Sequence, residues 1–247
     1  MTRYPQGETP SFPFAQRIPS YEVIHMVGYI HFTGSRGRVR LLLHDVLGMT
    51  VCEARLPGSP EGRFASRRTK KALDRLDRAG CRRLLAPCPV MPWYPVVHTR
   101  SLWQAMAVPL TLTYLHSQGL EPSRSVVALR GDRMTRSLYK TCLALAGEVS
   151  ALSLSVRQDE GLVWRLQQEL GLPLVDRAGD VTLAFAPATA GPGVLPLWAE
   201  DPEVAGFHLA LPGLSLPEGC PELPVLSALL DEGRLPLHQV LVVPDFT

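Results

Sequence analysis

Polar and apolar positions divide this chain into two patterns. The first twenty residues, with Pro5, Pro10, Pro13 and Pro19, read as an extended arm. Three strand-like runs follow: Tyr21–Phe32, Arg38–Asp45 and Met49–Leu56. They are joined by TGSRG and by the pair Leu47–Gly48, and short glycine turns between such runs predict an antiparallel meander. Beyond the loop PGSPEG the pattern changes to a recurring phrase of helix, glycine and strand. DRLDRAG precedes CRRLLAP, LTYLHSQG precedes LEPSRSVVALRG, and CLALAG precedes EVSALSLSV. LQQELG then precedes LPLV, and SALLDEG precedes RLPLHQVLVV. A glycine just past a helix supplies the left-handed residue that satisfies the last carbonyls. The apolar runs after these glycines read as strands covered on both faces. Repetition of the unit predicts an α/β fold with a mainly parallel sheet.

Two helices follow from spacing. Met134, Leu138, Cys142 and Leu145 step by a helical turn, as do Leu162, Leu166 and Leu170 with Val163 beside the first. Both stripes are expected to face a sheet. The division expected is an N-terminal α/β part over residues 1–120, with the meander and a basic helix, and a second part over residues 121–247.

Composition narrows the classes. Of 247 residues, 46% are hydrophobic and 19% charged, which fits a globular chain. A net charge of +2 does not mark the whole chain as a nucleic-acid binder. The N-terminus lacks a basic segment followed by an apolar leader, and the apolar stretch Met106–Leu115 is interrupted by Pro109, Thr111 and Thr113. A cytoplasmic protein with no membrane partner is expected. Cys52, Cys81, Cys88, Cys142 and Cys220 form no CxxC pair and are read as reduced, mostly buried thiols. His25 and His31 share one strand face, but no third ligand accompanies them, so no metal site is expected.

The candidate chemistry centres on VVALRGDRMTRS, Val126–Ser137. An apolar run leads to Gly131 and a helix pattern follows, as in a turn that receives a phosphate on a helix N-terminus. With the next strand, Val149–Val156, residues 123–187 resemble the first βαβ unit of the Rossmann-fold NAD(P)-binding superfamily. The resemblance implies a Rossmann-like sheet and a nucleotide site using Gly131, Arg133, Arg136, Ser155 and Arg157. Arg133 and Arg136 stand where that superfamily places its second and third glycines, so ordinary NAD binding is not expected. Ser155 and Arg157, at the end of the second strand, suit the 2′-phosphate of NADP. Arg130 and Lys140 add positive charge around the turn, and Asp132 stands at the helix start.

Two further stretches stand out. Between Glu61 and Arg83 there are nine basic and three acidic residues. Arg67, Lys71, Arg75, Arg78 and Arg82 form one helical stripe, which could meet an acidic partner, nucleic acid or a phosphorylated small molecule. Pairs such as Lys70–Asp74 and Asp74–Arg78 would ease its self-repulsion. The proline-dense loop Ala86–Arg100 carries Trp93, Tyr94, His98 and Arg100 and reads either as a pocket wall or as a loop tied down by its own apolar side chains. No nucleophile elbow, Walker A or HExxH motif is present. His98 and Asp180 are the first positions to inspect for acid–base chemistry. Three functions are therefore expected in order: a non-catalytic Rossmann-like binding or regulatory protein with a degenerate nucleotide site, an NADP-dependent oxidoreductase with an atypical glycine turn, and a binder of nucleic acid or an acidic partner through the basic helix.

Overall fold

The computed structural model describes residues 26–35, 37–156, 164–168, 171, 174–188 and 191–245. The proposed arm, residues 21–25, Arg157, Leu162, Val163 and Leu170 lie outside these. The first sheet contains β1 (Met26–Phe32), β2 (Arg40–Val46), β3 (Met49–Leu56) and β4 (Cys81–Leu84) in the order β2-β3-β1-β4. The expected meander is only half present. β2 and β3 form an antiparallel hairpin whose turn uses Leu47 and Gly48, both at positive φ (52° and 79°). β1 instead pairs parallel with β3, and β3 lies between β1 and β2. The connection after β1 crosses the end of β3 and is fixed there, since Thr33 N–H donates to Leu56 O at 3.0 Å and Gly34 N–H to Gly58 O at 3.2 Å. Burial explains the choice: Val27, Gly28 and Tyr29 of β1 are enclosed, which requires a neighbour on each side, whereas β2 is a half-exposed edge.

Helix α1 (Ala65–Arg78) carries the chain from β3 to β4 and buries Ala72, Leu73 and Leu76 against Cys52, Ala54 and Leu56. The other face of this sheet, with Val27, Tyr29, Met49 and Val51, joins a larger core. That core also takes in α2 (Arg100–Ala105), α3 (Ala107–Ser117), α4 (Arg136–Leu145) and α5 (Glu222–Asp231) through Leu102, Leu110, Leu138 and Leu226.

The second sheet is parallel throughout, in the order β6 (Ala151–Val156), β5 (Val126–Gly131), β7 (Val181–Ala184), β8 (Val194–Pro196). A parallel bridge from Leu152 to Leu174 adds one more position beyond β6. A short antiparallel pair, β9 (Phe207–Ala210) and β10 (Leu241–Pro244), completes the chain. The protein is thus a mixed α/β protein, and among the described residues no helix is long and apolar enough to cross a membrane.

The recurring glycines play two different parts. Gly80, Gly119 and Gly233 have φ between +67° and +93°, as C′ residues should, and Gly171 also has positive φ at +60°. Gly147 does not have positive φ, and a β-carbon there would meet nothing within 4 Å. After α4 the chain turns instead through Glu148 and Val149, whose N–H groups both reach Leu145 O. Gly147→Ala is therefore expected to be neutral or stabilising by about 0.5 kcal/mol, through reduced freedom of the unfolded chain. Denaturant midpoints measure this directly.

Candidate functional site

The second sheet has two unlike faces. Successive residues of a strand point to opposite sides, and the register aligns Val127 and Leu129 with Leu152 and Leu154 of β6 and with Val181 and Leu183 of β7. This face packs on α3 and α4 within the main core. The opposite face carries Ala128 and Arg130, Ser153 and Ser155, and Thr182 and Ala184. Beyond Val126 at the start of β5, these three strands place only small or polar side chains and Arg130 there. β5, apart from Arg130, and β7 are buried on both faces, as expected of covered strands, whereas β6, reading Ala-Leu-Ser-Leu-Ser-Val, alternates and exposes Ser155.

Residues 175–180 cross this second face to reach β7. Val175 N–H donates to Leu152 O at 3.0 Å, and Asp180 N–H donates to Val126 O at 2.8 Å. The crossing is tight: a β-carbon on Gly179 would lie 2.5 Å from Ala128 N and 2.9 Å from Ala128 Cβ. Between this strap and residues 186–188 lies a cleft of about 580 Å³, lined by Arg130, Gly131, Asp132, Ser153, Ser155 and Arg177 together with Asp176 and small side chains. It opens at the carboxyl ends of β5 and β6, where open α/β sheets bind ligands. The guanidinium groups of Arg130 and Arg177 and the hydroxyls of Ser153 and Ser155 have no hydrogen-bond or ion-pair partner among the described residues.

The sequence-derived residues part company here. Gly131 and Ser155 line the cleft. Arg133 is exposed and lies outside its lining, while Arg136 lines a separate groove with Lys140, Gln104 and Ser137. The three arginines of the turn therefore do not converge on one anion. Helix α4 is capped by Thr135, whose Oγ1 accepts from Leu138 N–H at 3.2 Å, rather than by Asp132. Gly131 has no positive φ; its β-carbon would come within 2.9 Å of Leu138 Cδ2, so this glycine permits close packing of α4 rather than a strained turn. Asp176, Arg177 and residues 186–188 were not legible as site residues, although the alternation Ser153, Ser155 marked the face they cover.

His98 and Asp180 do not act together. His98 Nδ1 donates to Asp201 Oδ2 at 3.1 Å, and Asp180 Oδ2 accepts from Val126 N–H at 2.8 Å, at the start of β5. The loop before His98 is tied down by its own side chains: Val90, Met91, Tyr94 and Val96 pack on the α1 side of the first sheet, and Tyr94 OH donates to Cys81 O at 2.8 Å. Trp93 remains exposed. On α1, Arg67, Lys71 and Arg78 point to solvent, while Arg75 donates to Val39 O and is committed to the fold. Asp74 forms no ion pair with Lys70 or Arg78 among the described residues. The cysteines are free thiols, four of them buried, and burial pushes Cys142 up to about 12. No group of three potential metal ligands occurs among the described residues.

A polar cluster that sequence reading missed lies in the first sheet. Glu53 is fully buried, yet accepts hydrogen bonds from His31 Nδ1 at 3.0 Å, His44 Nε2 at 2.9 Å and Arg55 Nε. Burial alone would raise this carboxyl, but the bonds from Arg55, His31 and His44 outweigh it and hold it at about 2. Cys220 stands close enough that burial, and then the Glu53 charge, push its thiol up to about 12. Gly219 (φ +72°) rests on the His31 ring, where a β-carbon would lie 3.0 Å from Cδ2. A charged residue between Cys52 and Ala54 in a buried strand was the available signal.

No known protein family matches this chain, and a search of curated proteins finds no match.

Proposed function

We propose that the chain is a Rossmann-like binding protein whose second part, residues 121–247, holds a small polar ligand bearing phosphate or carboxylate, and that it acts by binding rather than catalysis. The observation that carries this is the cleft on the bare face of the second sheet, with two unpaired guanidinium groups and two serine hydroxyls around it. Guanidinium pairs with phosphate and carboxylate in a bidentate fork. Asp176 beside them favours a ligand that also offers donors, such as the hydroxyls of a ribose. The strand order supports the Rossmann-like reading: with the Leu174 bridge as the third position, it runs third, second, first, fourth, fifth. The site is degenerate in that Gly131 serves packing, and Arg133 and Arg136 replace the glycines that bring backbone against a pyrophosphate.

The second reading, an NADP-dependent oxidoreductase, is favoured by one observation. Ser155, at the end of the second strand of the unit, lines the same cleft. A thermal-shift screen separates the two, because a ligand that binds only the native state raises its apparent stability. A shift with AMP and with phosphorylated sugars, none with NAD and none selective for NADP, supports the binding module. A shift with NADP alone, lost in Arg157→Ala, makes the oxidoreductase the better account.

A further inference from the structure

We propose a second ligand site at the carboxyl end of the first sheet, built for a small carboxylate with a hydrocarbon or aromatic body. The cleft there measures about 320 Å³, at the small end of the range for ligand sites. Its walls are apolar: Ile30 and Phe32 at the end of β1, Leu84 at the end of β4, and Val90 from the proline-rich loop. It therefore occupies, on this sheet, the place where open α/β sheets take their ligands.

The polar groups are few and converge from α1. Thr69 is 6% exposed and lines the cleft. Buried helical threonines elsewhere in this protein return the hydroxyl to the carbonyl four residues back, Thr111 to Ala107 at 2.7 Å and Thr141 to Ser137 at 2.9 Å. Thr69 makes no such bond and has no other partner among the described residues. The hydroxyl is not among the enclosed atoms left without a partner, so it opens to the cleft, where a ligand's acceptor can receive it. Ser66, one turn earlier, lines the same cleft. The start of α1 is also uncapped. Phe64 at the N-cap offers no side-chain acceptor, and the first turn holds no acid. Ala65 N–H donates to Gly62 O at 2.8 Å and Arg68 N–H to Phe64 O at 3.1 Å, which leaves the N–H groups of Ser66 and Arg67 without a backbone acceptor among the described residues. Free N–H groups at the positive end of a fourteen-residue helix attract an anion. The apolar walls and the small volume exclude a nucleotide and leave room for a compact acid such as phenylacetate or isovalerate.

Cys88 reports on the site, since it lines the cleft and is 5% exposed. The test titrates the full chain with phenylacetate, isovalerate and the neutral phenylacetamide by calorimetry, and follows Cys88 alkylation by peptide mapping. Both carboxylates are expected to bind saturably and slow alkylation of Cys88, with the amide at least about tenfold weaker. Thr69→Val should weaken the carboxylates about tenfold, as loss of one hydrogen bond to a charged group implies. Ala86→Trp, an exposed lining position, should fill the cleft and abolish binding. Arg130→Ala with Arg177→Ala should leave it unchanged, which separates this site from the nucleotide cleft. Failure of both carboxylates to bind, equal binding of the amide, or full binding by Ala86→Trp would overturn the proposal.

Discussion

Gly179→Ala is expected to destabilise the protein by about 3 kcal/mol, the upper part of the range for overpacking. The added methyl would lie 2.5 Å from Ala128 N and 2.8 Å from Val181 O, and both neighbours are backbone in the second sheet, not side chains that can swing away. The strap over residues 175–180 would have to lift from the sheet, and it forms one wall of the cleft. Urea melts should show a lower midpoint with an unchanged slope. Gly147→Ala is the matched control, a glycine of the same sheet's connections with open space around it. A loss below about 1 kcal/mol at Gly179, within the scatter of ordinary substitutions, would show that the strap does not press on Ala128.

Glu53→Gln is expected to cost a similar amount, about 3 kcal/mol at neutral pH. Breaking a buried ionic cluster by removing one partner commonly costs that much. The pH dependence follows from the depressed carboxyl. Its folded-state value of about 2 lies below the ordinary 4.5, so the stabilisation is fully present above the ordinary value and is lost as pH falls toward 2. A displacement of that size corresponds to roughly 3 kcal/mol. Wild type and Glu53→Gln should therefore differ most above pH 5 and converge between pH 4.5 and 2. A difference that stays constant across that interval would mean that His31, His44 and Arg55 do not stabilise the charged carboxylate.

Much of the architecture was legible because it rests on local rules. The left-handed glycines Gly80, Gly119 and Gly233 marked helix ends correctly, and the stripe Leu138, Cys142 and Leu145 faces the core as its spacing implied. The position of β1 was not legible, because pairing with β3 rather than β2 is decided by what must be enclosed on both sides of Tyr29, a long-range property. Of the cleft lining, Gly131 and Ser155 were legible because the first strand, turn and second strand lie in one continuous stretch. Arg177 comes from a strap about fifty residues downstream of Gly131, and nothing in its own neighbourhood distinguishes it from a solvated arginine. Arg136 misled for the opposite reason: it is near Gly131 in sequence, but the loop over residues 132–135 and the start of α4 carry it into another groove. Glu53 was passed over because a lone acid in a strand reads as an outward-facing residue until its three partners are brought to it from β1, β2 and β3.

If the cleft between the strap and β5 holds a phosphate- or carboxylate-bearing ligand, Arg130 and Arg177 are the side chains that hold it. The most direct measurement is a calorimetric titration of AMP, ribose 5-phosphate and inorganic phosphate into wild type, Arg130→Ala and Arg177→Ala at low salt. Binding of at least one of these probes to wild type, weakened about tenfold or more by each arginine substitution while the melting midpoints stay unchanged, is the predicted result. Wild type that binds none of the three, or binding that both alanine variants retain in full, would contradict it.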